Sequence, residues 1–149
     1  MKSLFDNTAY HEIMSRLENI TPETKPDWGK MNAGQMLRHC QLPLELALGK
    51  TTLPKPNFFM RLLMRSFKKS MYNDKLWKKN VPTPKPFRVM DQRDFTKERS
   101  ALISLIKDFH ATKEQKERAP HPGFGYFTYN EWGQMQYKHL DHHLRQFGV

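Results

Sequence analysis

The chain has 149 residues, of which 38% are hydrophobic, 12% aromatic and 27% charged. That is enough for one domain burying roughly 68–70% of the surface its unfolded form exposes, and too periodic in its apolar residues for a disordered segment. No apolar run approaches the ~18 residues of a transmembrane helix, the start "MKSLFDNTAYHEI" lacks the apolar core of a signal peptide, and one cysteine, Cys40, excludes an internal disulfide. A cytoplasmic protein is the expectation.

The net charge of +10 is concentrated in one stretch. Residues 50–93 hold twelve Lys or Arg against Asp74 and Asp91, while the remainder carries 13 basic and 13 acidic side chains. The sequence therefore reads as a neutral body, a single domain over 1–149, interrupted by one basic insertion at about 50–93.

In chain order, Tyr10, Ile13, Met14, Leu17 and Ile20 make the apolar stripe of a first helix from about Thr8 to Ile20. A second begins at "MNAGQM", where Asn32 and Gln35 form a capping box and Met31 packs on Met36 as a staple. Its stripe is Met36, Leu37, Cys40, Leu44 and Ala47, and Gly49 ends it. Pro43 removes the N–H that would bond the carbonyl of His39, so a kink beside His39 is expected.

Within the insertion, an amphipathic helix from about Asn57 to Met71 sets Phe58, Phe59, Leu62, Leu63 and Phe67 on one side and Arg61, Arg65, Lys68 and Lys69 on the other. The plainest use of such a face is to cover the end of the body, burying the phenylalanines. A helix of this kind also suits an anionic membrane surface.

A third body helix spans about Asp94 to Thr112, with Phe95, Leu102, Leu105, Ile106 and Phe109 on one side. A loop rich in charge, Pro and Gly follows. The last helix opens at "FTYNEW" with Thr128 and Glu131 as capping box and Phe127 with Trp132 as staple, and it stops at Gly148. Four amphipathic body segments without strand-period runs predict an all-α fold, a four-helix bundle with a basic, partly helical insertion between its second and third helices.

On a wheel with Trp132 at zero, His139 falls at about 340° and His143 at about 20°, at the middle of the inward face; His142 falls at about 280°, near its edge. Two imidazoles four residues apart on one face can converge on one ion. For a single histidine a hydrogen-bonded core role would be the plainer alternative. Two adjacent ones must both find partners inside the fold.

A third ligand would come from a facing helix, and His39, at the border of the second helix's stripe, is the candidate. Three neutral imidazoles suit Zn²⁺, Ni²⁺ or Fe²⁺ without choosing between them, and leave a position for water or substrate. His11 and His110 are expected to face solvent. Cys40, turned about 100° from His39, reads as a core thiol.

The stretches "WGKMNAGQMLRHC" and "HPGFGYFTYNEWGQMQYKHLDHHLRQFG" resemble the DinB/YfiT-like superfamily of metal-dependent enzymes, more specifically its branch called domain of unknown function 1569. The resemblance covers both ends of the chain and little of the middle. It implies a divalent metal on His39, His139 and His143, with His142 as the extra histidine. Characterised relatives in the superfamily include thiol-dependent S-transferases and isomerases, in which the metal activates a low-molecular-weight thiol as thiolate, so a metal-dependent enzyme, a thiol-dependent S-transferase or a hydrolase, is the expectation.

His142 and His121 are the candidates for a general base, and Gln136, Gln146 or Tyr126 for orienting a ligand. The basic insertion would favour an anionic small-molecule substrate, such as a carboxylate-bearing thiol. Nucleic acid is not expected, since no stacking platform or binding motif is present. Bundles of this type suggest a homodimer. The competing reading is a non-catalytic module whose basic amphipathic insertion engages a membrane or an acidic partner.

Overall fold

Each of the two capping boxes read from the sequence starts a helix in the computed structural model, which describes residues 1–115 and 117–149. The helices are α1 (Asn7–Glu18), α2 (Ala33–Ala47), α3 (Phe58–Ser66), α4 (Phe95–Ala111) and α5 (Tyr129–Gln146). Short 3₁₀ turns occupy Lys68–Met71, Lys85–Phe87 and Thr112–Glu114. The only pairing of strand type among the described residues is an isolated bridge between His121 and Gly125, so the protein is all-helical. The loop expected after the third body helix includes Lys116, which lies outside the described residues.

Local chemistry sets the helix ends. At α2, the Asn32 side chain accepts from the Gln35 N–H at 2.9 Å, and the Gln35 side chain accepts from the Asn32 N–H at 3.1 Å. Thr128 and Glu131 repeat the arrangement at α5, where the Phe127 and Trp132 rings lie 5.2 Å apart. Asp94 caps α4 by accepting from the Lys97 N–H. Gly49 and Gly148 follow α2 and α5 with positive φ, the left-handed conformation that glycine enters without steric cost. α2 continues through Pro43 to Ala47.

α1, α2, α4 and α5 contribute to one core, in which Ile13, Leu37, Leu44, Leu102, Ile106 and Phe109 are fully or almost fully enclosed. α2 packs chiefly on α4, and α5 packs on both α1 and α2. Arg16 of α1 donates to Asp141 of α5 at 2.7 Å and to the Val149 carbonyl at 2.8 Å, which fixes the register of those two elements.

The insertion attaches differently from the expectation. α3 is shorter than the predicted Asn57–Met71 helix and buries none of its residues. Phe58, Phe59 and Phe67 are 72%, 79% and 56% exposed, so the idea that they cover the body is overturned.

What holds the insertion is the segment after α3. The Lys138 ammonium on α5 donates to the carbonyls of Ser70 and Asn73 and to the Asn73 side chain at 2.7–2.9 Å, and the Trp77 indole donates to Ser70 O at 2.7 Å. Met71 and Tyr72 pack against the core. These polar anchors satisfy a buried lysine and free the apolar side of α3 from any structural duty.

Candidate metal centre

α2 and α5 face each other where His39 meets His139 and His143. One nitrogen from each of these three rings lies within 4.8 Å of the others. His39 Nε2 is 3.0 Å from His139 Nε2, and the ring centroids of the three pairs are 4.6–5.0 Å apart. All three side chains are buried, with exposures of 4%, 9% and 7%.

Their outer nitrogens determine which lone pairs point inward. His39 Nδ1 lies 2.7 Å from the Phe87 carbonyl, which can only accept, so the ring donates there and its Nε2 is left with a lone pair. His143 Nδ1 lies 2.7 Å from Gln146 Oε1, while the Gln146 amide nitrogen donates to the Trp28 carbonyl at 2.6 Å. That second bond orients the amide so that its oxygen faces His143, and the Nε2 of His143 is again the free acceptor.

Gly29 makes room for this. A Cβ there would stand 2.4 Å from the Gln146 amide nitrogen, and the backbone φ is +83°. His139 Nδ1 has no partner among the described residues.

Burial keeps the cluster neutral. It pushes His143 down to about 3, helped by the charges that His39 and His142 would carry and opposed by the Gln146 hydrogen bond. His139 lies well below the ordinary histidine range, first through burial and then through its histidine neighbours. Burial also lowers His39, against the opposing bond to Phe87. Uncharged imidazoles are the metal-binding form, so desolvation prepares the set as ligands near neutral pH.

The donor set fits a divalent ion. Metal–nitrogen distances of about 2.0–2.1 Å place adjacent ligand nitrogens about 2.9–3.4 Å apart, and the His39–His139 separation of 3.0 Å falls in that range. An ion would draw the widest pair to about 4.2 Å or less.

His142 is not part of the cluster. It is half-buried, its ring edge-on to Trp28 at 5.8 Å and to Trp77 at 5.5 Å, in a cleft of about 380 Å³ also lined by Lys79, Lys138 and Arg145. Burial lowers its pKa, with Asp141 opposing.

His121 lies elsewhere. Its Nδ1 accepts from the backbone N–H groups of Gly123 and Phe124 at 3.1 and 3.2 Å, closing the 121–125 turn, and its ring packs near Trp132, seven residues and about 10 Å of helix before His139. Buried there, it titrates at about 4.

Gln136 is fully buried and donates to the Pro43 carbonyl, whereas Tyr126 is 58% exposed. Cys40 is buried, and burial pushes its thiol up, as a core role requires. His11 is exposed, but His110 is not free in solvent: it bonds the Leu4 carbonyl and stacks on Tyr10.

Several contributors are invisible in the sequence. The Phe87 carbonyl is a backbone group and carries no residue-type signal. Trp77, whose ring lies 6.0 Å from His139, reaches the site through the Ser70 and Lys138 anchors.

An all-helical protein with three buried histidines able to hold one metal ion is the class that fold and site define. The chain belongs to the family described as "Protein of unknown function (DUF1569)", whose model matches residues 3–148. No curated protein and no solved structure matches it.

Proposed function

We propose that the protein is a metalloprotein of the DinB/YfiT-like type, a four-helix bundle with one insertion, in which His39, His139 and His143 bind a divalent ion through their Nε2 atoms. The observation that carries this is the directed pair of outer bonds, His39 to Phe87 and His143 to Gln146, which turns two buried lone pairs toward His139. A divalent ion held there would supply Lewis acidity, lowering the pKa of a bound water or thiol.

The protein's own residues would do the rest. Trp28 and Trp77 wall the adjoining cleft, and Lys79, Lys138 and Arg145 outnumber its one acidic side chain, Asp141, which pairs with Arg145, so the net field is positive and suits an anionic small molecule. His142 is the imidazole placed to exchange a proton with a ligand in that cleft. The reading is thiol transfer or hydrolysis on such a molecule. His121, with its acceptor nitrogen occupied by backbone, is left as a turn-closing residue.

Thermal unfolding tests the binding step. Zn²⁺, Ni²⁺ or Fe²⁺ at a hundred times its dissociation constant adds about 2.7 kcal/mol of stability, a rise in midpoint of about 5–10 °C for a chain of this size. The wild type is expected to show the rise and His39→Ala to lack it; equal responses would count against the site.

A second expectation concerns Gln146. Gln146→Ala removes the acceptor that orients His143, so metal affinity should drop by about 10–100-fold with helical content unchanged, as measured by chelator competition. Gly29→Ala, which drives a Cβ into the same amide, should act in the same direction. Wild-type affinity in both variants would remove Gln146 from the site.

A further inference from the structure

We propose that α3 is a docking surface for an anionic lipid bilayer. The inference is carried by the direction of its apolar face and is independent of the metal site. Amphipathic helices of globular proteins turn their apolar side to the core. Here Phe58, Phe59, Met60, Leu62, Leu63 and Phe67 are 48–79% exposed.

Placed on a wheel from Phe58 at zero, these six residues cover an arc of about 200°. Met64, at about 240°, falls outside it and meets the body, its side chain reaching within 2.4 Å of where a Cβ on Gly123 would stand, and the Arg65 guanidinium passes beside Gly125 on the same flank. The helix therefore rests on the protein by its narrow side and presents its broad apolar side outward. An exposed apolar patch of this extent on a helix marks an interaction surface.

Charge selects the occupant. Arg65 borders the arc at about 340° on the same wheel, and Lys69 follows the helix; both are exposed. Around them the 50–93 stretch carries the whole net charge of +10. A second copy pairing through α3 would bring two such stretches together against their mutual repulsion. A negatively charged bilayer surface matches both properties, with phenylalanines and leucines entering the acyl boundary and the Arg and Lys side chains at the headgroups. None of the described helices is long and apolar enough to cross a membrane, so the contact is peripheral.

Co-sedimentation of the full chain with vesicles tests this. Vesicles of phosphatidylcholine with one third phosphatidylserine should retain the protein, and vesicles of phosphatidylcholine alone should retain at least tenfold less. Raising the salt to ~0.5 M should release it. The triple substitution Phe58→Ser, Phe59→Ser, Leu62→Ser should abolish retention while leaving the circular dichroism spectrum intact, because these side chains are exposed. Arg65→Gln and Lys69→Gln should each weaken binding by about fivefold.

Retention of the triple variant at the wild-type level would show that charge alone holds the protein, overturning the proposal. So would equal binding to neutral vesicles, or a dimer in sedimentation equilibrium that the triple substitution dissociates.

Discussion

Alanine at His39, His139 or His143 is expected to lower divalent-metal affinity by two orders of magnitude or more, while alanine at His142 should change it by less than tenfold. The scale follows from structural zinc sites, where about 10–16 kcal/mol is shared among four ligands, or roughly 3 kcal/mol for each. The contrast follows from geometry. His39, His139 and His143 bring ring nitrogens within 4.8 Å of one another, whereas the His142 ring lies against Trp28 and Trp77 in the cleft. Titration of the four variants against a chromophoric chelator reads both effects. Comparable losses at His142 and His143 would mean that the ion sits on the cleft side of α5.

The second large effect is acid destabilisation of the metal-free protein. His121 titrates at about 4 in the folded chain, because burial penalises its charged form, and at about 6.5 when unfolded. Between those values the unfolded state binds more protons, so stability is fully present above about pH 6.5 and declines as pH falls toward about 4. That separation between the folded and unfolded values corresponds to about 3 kcal/mol. The depressed values of His39, His139 and His143 act with the same sign.

Urea unfolding in the presence of a chelator, at several pH values between 7 and 4.5, should show this decline. His121→Gln, which keeps a side-chain acceptor near the Gly123 and Phe124 amides but cannot be protonated, should flatten the slope by up to one proton. An unchanged slope would show that His121 is charged or exposed in the folded state.

What could be read from the sequence was what depends on near neighbours along the chain. Asn32 with Gln35 and Thr128 with Glu131 are separated by one helical turn, and both pairs form because their partners are already adjacent when the turn closes. His139 and His143 share a face for the same reason. His39 emerged from its position at the edge of an apolar stripe, and the family resemblance pointed to the same residue.

The insertion was legible only in part, because periodicity gives a helix an apolar side without saying what that side meets. Phe58 and Phe59 looked like core residues, but the segment is held by Lys138 and Trp77 through the Ser70 carbonyl, an attachment made across 68 residues of chain in the first case. The Phe87 carbonyl escaped for a related reason: every residue has one, and only the fold brings this one to His39. The sequence places His110 near the end of α4 with no local partner, yet Leu4 and Tyr10 reach it from the other end of the chain.

The most direct test of the metal centre is the X-ray absorption spectrum of the metal-loaded protein at the edge of the bound ion. Three imidazole nitrogens, at about 2.0–2.1 Å for zinc, with the outer-ring scattering of histidine, are predicted for the wild type, and two for His139→Ala. A shell without imidazole scattering, or a spectrum that His139→Ala leaves unchanged, would contradict the assignment.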